Sequence, residues 1–162
     1  RQHDDALARS CFPHHLTAGT LVVSPELDAV LLNLHRKAQR WFHFGGHWEP
    51  GDATLLATAT REAAEESGIV ELRLHPEPVH LDMHHVEFCR GHGSADHLDV
   101  RFAALAPPDA RAHASEESLD VRWWPVDALP DLPAEMHELI RLARERLQPA
   151  DAPSPSRRAP AE

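Results

Sequence analysis

The stretch GGHWEPGDATLLATATREAAEESGI, residues 45–69, constrains the chain more than any other segment. Its spacing predicts a helix over residues 54–67, with Asp52 or Thr54 able to cap the start and Gly68 placed where a helix stops. At about 100° per residue, Leu56, Ala59 and Ala63 share one stripe. Glu62, Glu65 and Glu66 follow the i, i+3, i+4 rule and share a neighbouring face. That face borders the buried stripe rather than opposing it, so its carboxylates can sit at the floor of a cleft, with Glu66 expected to border solvent. Glu62 and Glu66 form a like-charge pair that costs roughly 0.2–0.5 kcal/mol. Arg61 offsets part of this, and a divalent cation offsets it better, because hard cations favour carboxylate oxygen. Taken alone, a Glu-rich helix reads as a solvated face. Gly45 and Gly46 change that balance: they permit a backbone turn that other residues resist, and such a turn can aim a carbonyl oxygen at a metal.

The surrounding sequence supplies strands. Residues 16–24 are apolar and β-branched, and 29–35 follow after the turn-like PELD, so the two predict a hairpin or neighbouring strands. Residues 41–44 predict a short strand running into the glycine pair. Residues 79–88 and 98–105 read as antiparallel strands joined by the loop 89–96, and 119–126 as another strand. Met136, Leu139, Ile140, Ala143 and Leu147 mark an amphipathic helix over 134–147. Residues 1–15 form a polar lead-in, and the Pro/Ala/Ser-rich end predicts a disordered tail over 149–162. Strands with helices before and after them predict an α/β sandwich around a mixed sheet, and the length of 162 residues suits one domain, residues 1–148.

Charge narrows the partners. The formal net charge is −10 and Lys37 is the sole lysine, so the chain should repel a polyphosphate backbone and leave duplex nucleic acid unbound. A small anionic substrate stays compatible with this if metal ions supply positive charge. No segment approaches the roughly 20 apolar residues of a membrane span, and no leader is visible at the start, so the expectation is a cytoplasmic protein without a membrane partner. Cys11 and Cys89 make neither a disulfide framework nor a CxxC site. The fourteen histidines include His14, His15, His43, His47, His84 and His85. Imidazole is a good zinc ligand, but without an HExxH or a Cys/His pairing these read as surface and pocket residues.

The 24 residues from Gly46 to Ile69 resemble the signature of the Nudix hydrolase family. That signature is Gly, five residues, Glu, seven residues, then Arg-Glu-aliphatic-x-Glu-Glu-x-Gly-aliphatic. Gly46 begins it here, and Arg61-Glu62-Ala63-Ala64-Glu65-Glu66-Ser67-Gly68-Ile69 completes it. Asp52 stands for the first Glu, and eight residues rather than seven separate it from Arg61. Counted backwards from Arg61, the Glu position falls on Ala53, which leaves the role of Asp52 open. Ala63 replaces a bulkier aliphatic residue, a matter of packing rather than chemistry.

The resemblance implies an α/β/α sandwich around a mixed sheet. It also implies hydrolysis of a nucleoside diphosphate linked to another group, with Mg²⁺ or Mn²⁺ as cofactor. Glu62, Glu65, Glu66 and the Gly46 carbonyl would hold the metal, and Arg61 would orient a glutamate by a charge-assisted hydrogen bond. The general base lies on the motif helix, here Glu62, or in a later loop, here Glu116 or Glu117. Trp41, Phe44 and Trp48 flank the glycines and could stack on a base, and His43, His47, His84 and His85 could reach phosphate or ribose. Two other readings share the fold. A nucleotide-sensing module without hydrolysis would be expected to lose motif carboxylates, none of which is lost from the helix. An isomerase of the isopentenyl diphosphate type would want a catalytic Cys, and the setting of Cys89 gives it no support. The identity of the nucleotide and the oligomeric state, a homodimer included, stay open.

Overall fold

In a computed structural model, residues 14–89, 93–116 and 118–149 are described. The elements run β1 (His14–Val23), β2 (Ala29–His35), β3 (Arg40–Phe42), β4 (Phe44–His47), α1 (Leu55–Ser67), β5 (Arg73–Leu74), β6 (His80–Cys89), β7 (Gly93–Leu105), β8 (Ser118–Pro125) and α2 (Ala134–Leu147). Among the described residues the strands form one eight-stranded sheet. β1 is its centre: it pairs in parallel with β7 along its whole length and antiparallel with β4 and β2 on its other edge. The remaining pairings are antiparallel, so the sheet is mixed.

Alternation along β1 builds two faces. Ala18 and Val22 face α1, where Ala59 and Ala63 pack with Phe44, Phe102 and Ala104. Leu21 and Val23 face α2, where Met136, Leu139, Ile140 and Ala143 close a second core with Val30, Leu32 and Ala103. One helix on each face of the sheet makes an α/β/α sandwich, as expected from the sequence. Thr20, fully buried among apolar neighbours, donates its hydroxyl to the Ala59 carbonyl at 3.0 Å and so satisfies a polar group inside the α1-side core.

Helix α1 begins as the sequence predicts. Thr54 is the cap, its hydroxyl accepting the Ala57 N–H at 3.1 Å, and Gly68 ends the helix at φ 73° with its N–H on the Ala64 carbonyl. The glycine pair differs from expectation: Gly45 and Gly46 form no turn but lie inside β4, opposite Gly19 and Ala18 of β1. The turn falls at Gly51, whose φ is 126°. The pair is glycine for lack of room. A Cβ on Gly45 would stand 2.7 Å from the Ala18 carbonyl oxygen and 2.8 Å from the Gly19 Cα, and a Cβ on Gly46 would collide with the Glu62 carboxylate. The strands 79–88 and 98–105 also run further into their connecting loop than expected, β7 starting at Gly93. The lead-in through residue 13, residues 90–92 of the loop and the tail from residue 150 lie outside the described residues.

Gly45→Ala should destabilise the fold by about 1–3 kcal/mol, because both obstructing atoms are backbone and the strands must separate to admit a methyl group. Thr54→Ala should cost about 1 kcal/mol through loss of the cap. Urea unfolding of the two variants checks the order, and a Gly45→Ala protein as stable as the wild type would refute the close-packed strand pair.

Candidate functional site at the β4–α1 junction

The close approach of β4 and α1 brings the helix carboxylates onto the glycine strand. Glu62 fills the space beside the Gly46 Cα. Glu66 accepts the Gly45 N–H through Oε2 at 3.1 Å. Glu66 is buried, with 9% of its surface exposed, and does not border solvent as expected, because its carboxylate turns onto the strand backbone at the Gly45 N–H. Glu65 is the outward member, its side chain 60% exposed.

Arg61 organises this group. Its guanidinium donates to Glu62 Oε1 at 3.0 Å, Glu65 Oε2 at 3.2 Å, Asp52 Oδ2 at 3.0 Å and the His47 carbonyl at 2.9 Å. Asp52 also accepts the Thr58 hydroxyl at 3.0 Å and the Glu49 N–H at 3.1 Å, while its own carbonyl takes the Trp48 indole N–H at 2.8 Å. These bonds fold residues 48–52 into a tight turn against the helix. The Arg61 hydrogen bonds hold the Asp52 carboxyl below the ordinary carboxylate range. Burial pushes the Glu62 carboxyl up, and Arg61 opposes that push.

A second set of polar residues covers the other face of the same strands. On the α2 side, but toward the starts of β1 and β7, alternation places His15 and Thr17 of β1 beside His97, Asp99 and Arg101 of β7 and His84 and Asp82 of β6. Asp99 is the hub. It accepts the Thr17 hydroxyl at 2.9 Å, Arg101 Nε at 2.7 Å and His43 Nε2 at 3.2 Å. Arg101 then reaches Asp82 at 2.8 Å, and Asp82 accepts His84 Nδ1 at 2.9 Å. Burial opposes charge on Asp99, yet the bonds and charges of His43 and Arg101 outweigh it and hold the carboxyl well below its usual range. Burial lowers the His43 pKa, and the bond of its ring Nε2 to Asp99 opposes that shift. That ring occupies the space a Cβ on Gly19 would need.

The family model described as the NUDIX domain matches residues 13–143. The chain belongs to the Nudix family. No curated protein matches the chain at significant sequence similarity. Solved structures share the fold. A NUDIX-family hydrolase from Clostridium perfringens superposes with TM-score 0.62 at 21% identity, covering 81% of this chain and 94% of that one. The NUDIX domain of Shewanella oneidensis NrtR, solved with ADP ribose, gives 0.63 at 22% identity over 87% and 93%. A C. elegans Ap4A hydrolase gives 0.58 at 20% identity over 82% and 96%. Membership of the Nudix family supports a hydrolase acting on phosphoric anhydrides.

The Nudix motif residues Gly46, Arg61, Glu62, Glu65 and Glu66 meet at one junction, and Asp52, despite the altered spacing, meets them through Arg61. Trp48 and His47 border that junction. Phe44 does not serve a base: its ring is fully buried in the α1-side core. Trp41 is also directed elsewhere, packing on the α2-side core edge-on to Trp124 at 5.3 Å with Arg122 near its face. Glu117 lies outside the described residues. Glu116 is exposed and its carbonyl accepts Arg36, while the His113 N–H on the Ser67 carbonyl ties the same loop to the end of α1. His97, Asp99 and Arg101 were not singled out in the sequence. Their signal is there in HLDVR and HLDMH, two strands with polar residues at every second position.

Asp99→Asn removes one of the two carboxylates that pair with buried Arg101 and leaves it Asp82, so stability should fall by about 1–3 kcal/mol. The pH dependence has a definite sign. A depressed folded-state pKa contributes stability that is complete above the unfolded value, about 3.9 for Asp, and is lost as pH falls through the folded value. The variant should therefore show a flatter decline of unfolding free energy below about pH 4 than the wild type. Equal slopes in urea titrations across that range would remove Asp99 as the source.

Proposed function

We propose that this Nudix protein is a metal-dependent pyrophosphohydrolase that cleaves a nucleoside diphosphate linked to another group by attack of water on the pyrophosphate. The carrying observation is the convergence of Glu62 and Glu66 on the Gly45–Gly46 strand, with Arg61 bridging Glu62 and Glu65. The donor set fits Mg²⁺ or Mn²⁺, which take carboxylate and carbonyl oxygen. Glu62, Glu65, Glu66 and the Gly46 carbonyl would hold the ion, and the strand leaves no side chain between Glu62 and that backbone. Such an ion, when bound, neutralises the anhydride and lowers the pKa of its water.

The chain's own groups do the rest. Arg61 fixes the carboxylates through charge-assisted bonds and is itself fixed by Asp52 and the His47 carbonyl. A carboxylate takes the proton of the attacking water, either Glu62 or a glutamate of the loop that carries Glu116 and Glu117. Trp48, just past the glycine strand, would meet the nucleotide, whereas the His47 ring lies on the opposite sheet face. A nucleotide-sensing module without hydrolysis has less support, because all three helix glutamates are retained and two of them, Glu62 and Glu66, lie against the glycine strand.

Millimolar Mg²⁺ or Mn²⁺ should raise the melting temperature, and EDTA should reverse the rise. Glu66→Gln keeps an oxygen for the Gly45 N–H, so the fold should survive. Turnover of a panel of nucleoside diphosphate derivatives should fall about a hundredfold, equivalent to roughly 2.7 kcal/mol of barrier. Glu117→Gln should slow turnover at unchanged metal affinity if the loop supplies the base. A folded Glu66→Gln protein with near-normal hydrolysis of every compound that the wild type cleaves would end this reading.

A further inference from the structure

Among the described residues, the imidazole, thiol and carboxylate ligands that gather three donor atoms within 4.8 Å of one another are those of His15, His47 and His97. The helix glutamates form no such group. Their strands impose the gathering: His15 and His97 are register partners on β1 and β7, and His47 is opposite Thr17, two residues along β1 on the same face. The three ring centroids make a nearly equilateral triangle with sides of 4.8, 5.1 and 5.1 Å, and no two rings are stacked parallel. His15 Nε2 and His47 Nε2 are 3.1 Å apart.

We propose that these three imidazoles form a second metal site, for Zn²⁺ or a similar borderline ion, on the sheet face opposite the helix glutamates. A tetrahedral ion about 2.0–2.1 Å from each nitrogen holds its ligating nitrogens roughly 3.3 Å apart and the imidazole centroids roughly 5 Å apart. The triangle matches the second figure and the His15–His47 pair lies close to the first. Nitrogen ligands suit zinc and its neighbours, whereas Mg²⁺ prefers the oxygen donors of the other face. Three histidines leave a fourth tetrahedral position for water or for an oxygen of a bound molecule. His84 adjoins the triad, with its ring 5.4 Å from that of His97 and its Nδ1 on Asp82, the carboxylate-backed arrangement in which a histidine offers Nε2 outward. His47 belongs to both faces: its ring enters the triad while its carbonyl accepts Arg61. The assignment stands on this geometry and does not depend on hydrolysis.

Titration of the untagged, metal-free full chain with Co²⁺ tests it. One equivalent should produce the intense visible ligand-field absorption of a four-coordinate ion, and Zn²⁺ should abolish it by displacement. His97→Ala and His47→Ala should each weaken Co²⁺ binding at least tenfold. His85→Ala, on an exposed imidazole, and Glu66→Gln, on the other face, should leave the band intact. Imidazole ¹⁵N spectra of the wild type keep the test independent of folding in the variants, since one equivalent of Zn²⁺ should move three histidines together. A wild type that gives only weak six-coordinate absorption, a band that survives both triad substitutions, or zinc shifts confined to other histidines would each overturn the site.

Discussion

The guanidinium of Arg61 joins three parts of the protein: the turn at Asp52, the end of β4 at the His47 carbonyl, and α1 through Glu62 and Glu65. Bringing carboxylates together in a partly buried place is unfavourable unless a cation or a fixed donor compensates them. Arg61 supplies that compensation. The charge of the site is thereby held in place by the fold before any ligand is present.

Packing makes this possible. At its middle α1 presents Ala59 and Ala63 to the sheet, and β4 presents Gly46 to α1 and Gly45 to β1. Small residues on both sides let backbones approach, and the glutamates flanking the alanine stripe are carried down onto the strand. Larger residues at the alanine positions would lift the helix and strand the carboxylates in solvent. The same alternation on β1 sends Leu21 and Val23 under α2, while earlier in the strand it sends His15 and Thr17 into a polar row that α2 does not cover.

The helix, its cap at Thr54, its stop at Gly68, most strands and the α/β/α architecture were legible in the sequence, because each rests on local periodicity and end signals. The motif was legible because its residues are close along the chain. What was not legible came from register. Gly45 and Gly46 read as a turn since glycine most often serves positive φ, yet here they are glycine because Ala18, Gly19 and Glu62 take the space, and those neighbours are set by pairing and helix docking. Phe44 read as a base-stacking ring since it adjoins the motif, but strand alternation turns it into the core. The histidine triad draws on residues 15, 47 and 97, and no sequence interval links them until β1 aligns with both β4 and β7.

The short strand β4 carries Gly46, which must present no side chain to Glu62, and His47, whose ring must enter the opposite face. Slipping a strand by one residue exchanges its faces, so an insertion or deletion within β4 would drive an imidazole toward the carboxylates and withdraw it from the histidines in a single event. An added residue is instead accommodated in residues 48–54, where Gly51 and the Asp52 turn absorb it and still return Arg61 to its partners. The strand behaves as a fixed phase reference, and the loop beside it is where sequence length is free to drift.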